Sequence, residues 1–219
     1  MAMFVFGAIA AQGASAVPLT ITTTPVPATV FITGVQESEH VFTNAGGTVK
    51  CTASTWSASA TPVSGAISEL TLAPTYTGCT AFGFATAHVK VNGCTYTLTT
   101  PTAVKAGEVK WTAPSQIHVL CPAGKSIEVT PTAFGASVCT QFINEQTPTS
   151  GDIVARNAGG AGNTMDITDE VTVKGVHYTG TGGACGNAET HSDAEYSGKT
   201  TAKCFSDAAH TVQIGCTLS

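Results

Sequence analysis

The sequence predicts an all-β, disulfide-bonded fold, and three observations lead to this prediction. About one residue in six is threonine, a β-branched residue that favours strands. Apolar residues do not recur at a helical spacing over three turns, and the nearest candidate, residues 137–146, lacks helix caps. The third observation is a set of widely spaced cysteines, as in the disulfide frameworks of exported proteins. They are Cys51, Cys79, Cys94, Cys121, Cys139, Cys185, Cys204 and Cys216.

Short strand-like runs, each bounded by Gly, Pro or Ser, follow one another along the chain, for example at residues 48–52 and 67–72. The Thr- and Pro-rich residues 17–32 predict an extended lead-in or an edge strand, because proline removes a backbone donor. Asn92-Gly93 suits a two-residue turn in which both residues take positive φ. This turn predicts a hairpin between the alternating runs on either side of it.

An internal repeat suggests how the strands are grouped. The pattern V-x-V-x-G-x-x-Y-T occurs at Val89–Thr97 and again at Val171–Thr179. We therefore expect two tandem small β-sandwich or barrel-like units, residues 17–130 and 131–219, with one larger β-sandwich as the alternative. The spacing of the cysteines does not determine their pairing. Pairs within each unit are expected, and Cys94–Cys121 and Cys185–Cys204 are the first to test.

The N-terminal residues 1–16 resemble the C-terminal part of a secretory signal. A short apolar run, Phe4–Ala11, precedes the small residues Ala14-Ser15-Ala16 at an expected cleavage point. A buried first strand or helix of the mature protein is the alternative. No apolar run reaches the length that a membrane-spanning helix requires. The expected location is secreted or at the cell surface.

Charge excludes one class of partner. Only 11% of residues are charged, and the 9 Lys and Arg residues are scattered singly in a chain of net charge -5. Nucleic-acid binding requires clustered basic side chains that neutralise phosphates. Anionic lipid surfaces are disfavoured for the same reason.

The residues that usually carry catalysis or hold metals do not form a recognisable motif. No G-x-S-x-G nucleophile elbow or phosphate-binding loop occurs. The six histidines lack the H-x-H or H-x-x-x-H spacing of metal ligands, so no cofactor or metal is expected. Two acidic clusters, residues 166–170 and 189–195, are interpreted as solvated loops. An enzyme remains the alternative, with His191, Asp193 and Glu195 in a polar loop at residues 179–197.

One apolar segment is a candidate contact surface. Residues 80–85 follow Cys79 and contain Phe82 and Phe84. A disulfide at Cys79 would hold this segment in place, and core packing is the competing explanation for its aromatic residues.

Three segments resemble a set of uncharacterised exported proteins from actinobacteria. They are Gly47–Cys51, Pro74–Tyr96 and Val119–Ile127, and the similarity is weaker in the second half of the chain. The resemblance implies a location outside the cytoplasm of a bacterium. It implies no activity, ligand or catalytic residue.

These observations together predict a non-enzymatic binding or structural module outside the cytoplasm. Its expected partner is a cell-wall polymer, another surface protein or a second copy of the chain. A secreted hydrolase or inhibitor with a loop-built site is one alternative. Self-assembly through strand edges that few charges protect is the other.

Overall fold

The structure is a computed structural model that describes residues 19–22, 24–158, 166–182, 185 and 190–218. Within these residues every regular element is a β-strand, so the predicted all-β class is confirmed. The expected signal sequence, residues 1–16, lies outside the described residues. The strands are β1 (Leu19–Ile21), β2 (Val30–Asn44), β3 (Gly47–Ala60), β4 (Ala66–Ile67), β5 (Glu69–Ala81), β6 (Ala85–Lys90), β7 (Thr95–Thr99), β8 (Thr102–Lys105), β9 (Glu108–Thr112), β10 (Ile117–Leu120), β11 (Ile127–Ala133), β12 (Ala136–Ser137), β13 (Thr140–Ile143), β14 (Ser150–Ala158), β15 (Asp166–Thr181), β16 (Thr190–Phe205), β17 (Gln213–Ile214) and β18 (Cys216–Leu218).

The strand pairings close into a ring. Strands β16, β2, β3, β5, β6, β11, β13 and β15 are hydrogen-bonded neighbours in that order. Strand β15 then pairs with β16, which completes the ring. Every pairing in it is antiparallel. The sheet therefore encloses an interior that side chains from all of its strands can reach.

Two long strands each pair along one edge with two shorter strands. Strand β5 pairs with β7 near its start and with β6 near its end. Strand β15 pairs first with β14 and then with β13. Strand β10 continues the sheet from β7, and β9 and β8 continue it from β14. One wall of the ring thus consists of long strands, and the other consists of short strands in two tiers.

A second, three-stranded sheet lies against one end of the ring. Strand β1 lies between β18 and β4, so the first strand is central in this small sheet rather than an edge. Its side chains Leu19, Ile67 and Leu218 are buried. Leu19 and Leu218 line the same interior space as Ile32 at the start of β2. The small sheet therefore covers the end of the ring at which β2 begins.

Alternation along the strands explains why the interior is apolar. In β2, Val30, Ile32 and Phe42 are buried, whereas the intervening Thr33 and Thr43 are more accessible. Successive side chains of a strand point to opposite faces, so one face of β2 contributes to the core and the other meets solvent. Each large apolar side chain buried in this way contributes about 1.5–3 kcal/mol to the free energy of unfolding.

The predicted hairpin around Asn92-Gly93 is wrong in its pairing, although the turn is present. Asn92 and Gly93 have φ of 51° and 82°, and the Cys94 amide donates to the Val91 carbonyl. Strands β6 and β7 nevertheless pair with β5 and not with each other. Because β5 spans 13 residues, one edge of it accommodates both short strands end to end.

The two predicted units share a single sheet. Strand β2, in residues 17–130, pairs with β16 of residues 131–219, and β11 spans the proposed boundary. The pairing pattern is compatible with the alternative of one larger β-sandwich, and the division into two tandem units stays a prediction. The repeated V-x-V-x-G-x-x-Y-T pattern falls in β6 and β7 in its first copy and within β15 in its second.

All eight cysteines are paired in four disulfides. Cys94–Cys121 is confirmed. The expected Cys185–Cys204 pair is wrong, since Cys185 bonds to Cys139 and Cys204 bonds to Cys216. The fourth bond joins Cys51 to Cys79, which lie opposite each other in the β3–β5 pair. All four bonds link residues within one of the two predicted units.

The sequence predicts a polar loop from residue 179 to 197, but the described residues of this segment are mostly strand. Strand β15 continues to Thr181, and β16 begins at Thr190. The acidic cluster of residues 166–170 also belongs to β15. Most polar residues in these segments lie on the outer faces of long strands, Asp169 being an exception that faces the interior, and sequence polarity alone does not separate such strands from loops.

Candidate functional site

The predicted contact residues Phe82 and Phe84 form the turn between β5 and β6. Phe82 is half-buried and covers Gly47, where an added Cβ would lie 2.6 Å from the Phe82 ring. Phe84 points outward and is 75% exposed. The structure thus divides the predicted pair into one packed ring and one solvent-exposed ring.

A third phenylalanine that the sequence analysis missed lies beside them. Phe134 forms the turn between β11 and β12 and is fully exposed. Because Thr86 of β6 pairs with Thr132 of β11, the two turns are neighbours at one end of the ring. The repeated tripeptide Ala-Phe-Gly, at residues 81–83 and 133–135, is the sequence signal that could have identified it. We call Phe82, Phe84 and Phe134 the phenylalanine tip.

The backbone of these turns disfavours phenylalanine. Phe82 and Phe134 have φ of 57° and 52°, and each is followed by a glycine that also has positive φ. Turns with this geometry usually carry asparagine or aspartate before glycine. A bulky residue in the left-handed region costs about 1 kcal/mol or more. Phe134 is therefore unfavourable in two ways: its backbone adopts a strained conformation, and its apolar ring is exposed to water.

The interior contains a second candidate site, built around three of the four tyrosines. The hydroxyls of Tyr76 and Tyr96 are 2.8 Å apart, and those of Tyr76 and Tyr196 are 3.0 Å apart. The Tyr196 hydroxyl is also hydrogen-bonded to Nδ1 of His40. His40 is only 5% exposed, and its Nε2 is buried without a hydrogen-bond partner among the described residues. These four side chains, which come from β5, β7, β16 and β2, form one hydrogen-bonded chain that we call the tyrosine chain.

A second hydrogen-bonded group lies near the tyrosine chain. The indole Nε1 of Trp56 donates to the Thr200 hydroxyl over 3.3 Å. Thr200 also hydrogen-bonds to the half-buried carboxyl of Asp169. Two glycines leave room for the rings: an added Cβ would lie 2.0 Å from Trp56 at Gly34 and 2.7 Å from the His40 ring at Gly198.

Burial determines the charge of these groups. Desolvation raises the pKa of Tyr76, Tyr96 and Tyr196 well above its ordinary value, so the three hydroxyls remain protonated. Desolvation lowers the pKa of His40, and a hydrogen bond with the Lys199 backbone partly opposes this decrease. The tyrosine chain is therefore neutral at neutral pH. Burial also raises the pKa of Asp169 from 3.8 to about 6.

A cavity of about 110 Å³ lies beside the tyrosine chain inside the ring. Its wall is largely aliphatic and includes Leu72, Ile117, Val119, Val171 and Val173. Smaller spaces of about 50 and 60 Å³ share lining residues with it on either side. The interior of the ring is thus not completely filled by side chains.

Two of the three residues of the alternative enzyme site share Tyr178 as a partner, since Asp193 is hydrogen-bonded to the Tyr178 hydroxyl. His191 stacks on Tyr178 with ring centroids 4.9 Å apart. Asp193 accepts a 2.6 Å hydrogen bond from the Ala45 amide, and Glu195 forms a 3.5 Å ion pair with Lys174. The structure therefore places all three on β16, with His191 and Asp193 against Tyr178 and Glu195 paired with Lys174 instead.

The described residues include no group of three or more His, Cys, Asp or Glu side chains that could hold a metal ion. The same part of the chain has no helix that could cross a membrane. Comparison with known proteins gave no match to a family model, to a curated protein or to a solved structure.

Proposed function

We propose that this chain is an extracytoplasmic, non-enzymatic binding module that contacts its partner through the phenylalanine tip. Four disulfides are consistent with a location outside the cytoplasm, where such bonds persist. The ring is a rigid frame that presents neighbouring turns at one end, as binding proteins often do.

The observation that carries the proposal is the exposure of Phe84 and Phe134 on adjacent turns. A single exposed apolar side chain is ordinary on a protein surface. Two aromatic rings on neighbouring turns, one of them in a backbone conformation that disfavours it, need a compensating benefit. Contact with a partner supplies one, since aromatic residues dominate the energetics of binding surfaces.

A cell-wall polymer is the partner that we propose first, because aromatic rings stack on the apolar faces of sugars. The first experiment compares the native protein with a Phe84→Ser, Phe134→Asn double variant on isolated wall material. The matched control is Val63→Ser with Val104→Ser, which removes two other exposed apolar side chains.

We expect the native protein and the control to stay on the wall through a salt wash. The double variant should bind at least about tenfold more weakly, as is typical for loss of central aromatic contacts. Asparagine suits the turn at residue 134, so this change should not lower the free energy of unfolding. Equal retention of the native protein and the double variant would contradict the proposal. If light scattering instead shows that the native protein self-associates and the double variant does not, the partner is a second copy of the chain.

A further inference from the structure

We propose that the interior cavity binds a small neutral aromatic alcohol of the phenol class, with its ring on the aliphatic wall and its hydroxyl hydrogen-bonded to Tyr96. This site is separate from the phenylalanine tip and does not depend on the function proposed for it.

The first argument is the size and lining of the cavity. An aliphatic cavity of about 150 Å³ inside a protein takes up benzene. The cavity here has a volume of about 110 Å³ and adjoins two smaller spaces that share its walls. A small rotation of Leu72, which lines both the cavity and the space of about 60 Å³, would merge part of this space. The cavity with part of the adjoining space therefore has room for one six-membered ring.

The second argument is the unused hydrogen-bonding capacity of Tyr96. A tyrosine hydroxyl can donate one hydrogen bond and accept two. Within the described residues, the Tyr96 hydroxyl bonds only to Tyr76, whereas the Tyr76 hydroxyl bonds to both of the other tyrosines. Tyr96 is thus the open end of the tyrosine chain, and its side chain lines the cavity.

The third argument is that the tyrosine chain can reverse its direction. If His40 carries its proton on Nε2, each hydroxyl donates toward Nδ1, and Tyr96 retains only free acceptor positions. If the proton is on Nδ1, each hydroxyl donates the other way, and Tyr96 has a free O–H. The chain can therefore accept a hydrogen bond from a ligand hydroxyl or donate one to it. Its other end, His40 Nε2, is buried without a hydrogen-bond partner among the described residues, and in both directions every hydroxyl of the chain stays hydrogen-bonded.

The fourth argument concerns charge. The tyrosine chain is neutral, and the lining of the cavity is mostly apolar, with Asp169 as its one carboxyl. Transfer of an anionic ligand into such surroundings would cost several kcal/mol, because the one carboxyl there, Asp169, would repel it. A phenol keeps its hydroxyl proton at neutral pH, and one good hydrogen bond compensates for the desolvation of that hydroxyl.

The experiment measures phenol and benzene binding to the full, oxidised chain by ligand-observed NMR titration. Intermolecular NOEs from the ligand ring to the methyl groups of Val171 and Val173 would locate the ligand in the cavity. Phenol should bind about fivefold more tightly than benzene, the advantage of one net hydrogen bond.

Tyr96→Phe keeps the ring and removes the hydroxyl, so it should abolish the advantage of phenol while benzene binding changes less than about twofold. The matched control is Tyr178→Phe, a buried tyrosine outside the cavity lining, which should leave both affinities unchanged. NOEs to other methyl groups, equal affinity for phenol and benzene in the native protein, or an unchanged phenol advantage in Tyr96→Phe would each overturn the proposal. A cavity filled by water only would show binding of neither ligand and would overturn it as well.

Discussion

At the scale of single residues, Asp169 is a titrating group whose burial opposes its charge. Desolvation is the largest cause of its raised pKa, the Thr200 hydrogen bond acts in the opposite direction, and the nearby charge of Glu37 adds to the increase. Because the pKa of the folded state is about 6 and the ordinary value is 3.8, the folded chain binds this proton more tightly than the unfolded chain. The contribution of Asp169 to stability therefore falls as the pH rises through this interval.

Asp169→Asn should remove this pH dependence. At about pH 7.5 the variant should be more stable than the native protein by up to about 3 kcal/mol, and at about pH 4 the difference should be small. Urea unfolding at both values measures it. Glu170→Gln is the control, because this neighbouring carboxylate on the same strand is 61% exposed. A stability difference of the same size at both pH values would show that Asp169 does not titrate in this interval.

The tyrosine chain shows why single residues were hard to predict. His40, Tyr76, Tyr96 and Tyr196 lie on four strands far apart in the sequence, and none stands in a recognisable motif. Only the ring closure brings them together. The sequence predicts Phe82 and Phe84 as a contact surface because they lie in an apolar segment next to Cys79, a setting that Phe134 lacks.

At the scale of elements, the sequence patterns predict the strands and turns better than they predict which strands pair with each other. The Asn92-Gly93 turn has the predicted positive φ values, because this choice depends on the two residues themselves. The strands on either side of this turn, β6 and β7, both pair with β5 because β5 is long enough to accommodate them end to end. No local sequence pattern predicts that length. Disulfide pairing failed at Cys185–Cys204 for the same reason, since it depends on where distant strands come to lie.

The repeated V-x-V-x-G-x-x-Y-T pattern corresponds to a shared local geometry. In the first copy Gly93 separates two strands that follow one edge of β5, and in the second Gly175 interrupts β15. Both glycines have positive φ, and the second lies at a register shift. A duplication in the history of the chain remains a prediction.

The small sheet supplies a prediction about one element. Cys204–Cys216 joins β16 of the ring to β18, so replacing both cysteines by serine should release the small sheet first. Stability should fall by about 3 kcal/mol on a chain-entropy basis. Hydrogen exchange at β1 and β18 should accelerate more than at β3.

The comparison for this prediction is serine replacement of Cys51 and Cys79, which join directly paired strands within the ring. That variant should lose protection across β3 and β5 while β1 and β18 follow only the global loss. Uniform acceleration of exchange in the Cys204–Cys216 variant would contradict the assignment of the small sheet as a separately anchored element.

At the scale of the whole molecule, the ring joins both halves of the chain. Strand β2 has β16 as a neighbour on one side and β3 on the other, and β11 pairs with both β6 and β13. Removing residues 131–219 would leave an exposed edge on β2 and open the interior to water. The burial that stabilises the core therefore depends on both halves.

Residues 17–130 expressed alone should not unfold cooperatively in urea, because the ring cannot close. Adding residues 131–219 as a separate oxidised fragment should restore a cooperative transition if the two associate. The full chain is the reference for the midpoint and slope of the transition. A cooperative transition in residues 17–130 alone would support two tandem units instead.

Ring closure also has a consequence for the order in which the chain can fold. The pairing of Phe31 with Phe205 joins strands that are far apart in the sequence. Strand β2 can therefore pair with β3 early, but it can pair with β16 only after almost all of the chain is available. Contacts between residues so far apart in sequence form slowly, because a long loop must close before they are made. In a chain exported from its N-terminus, β2 would therefore emerge with β3 as its only available neighbour. The ring could close only after β16 had crossed the membrane.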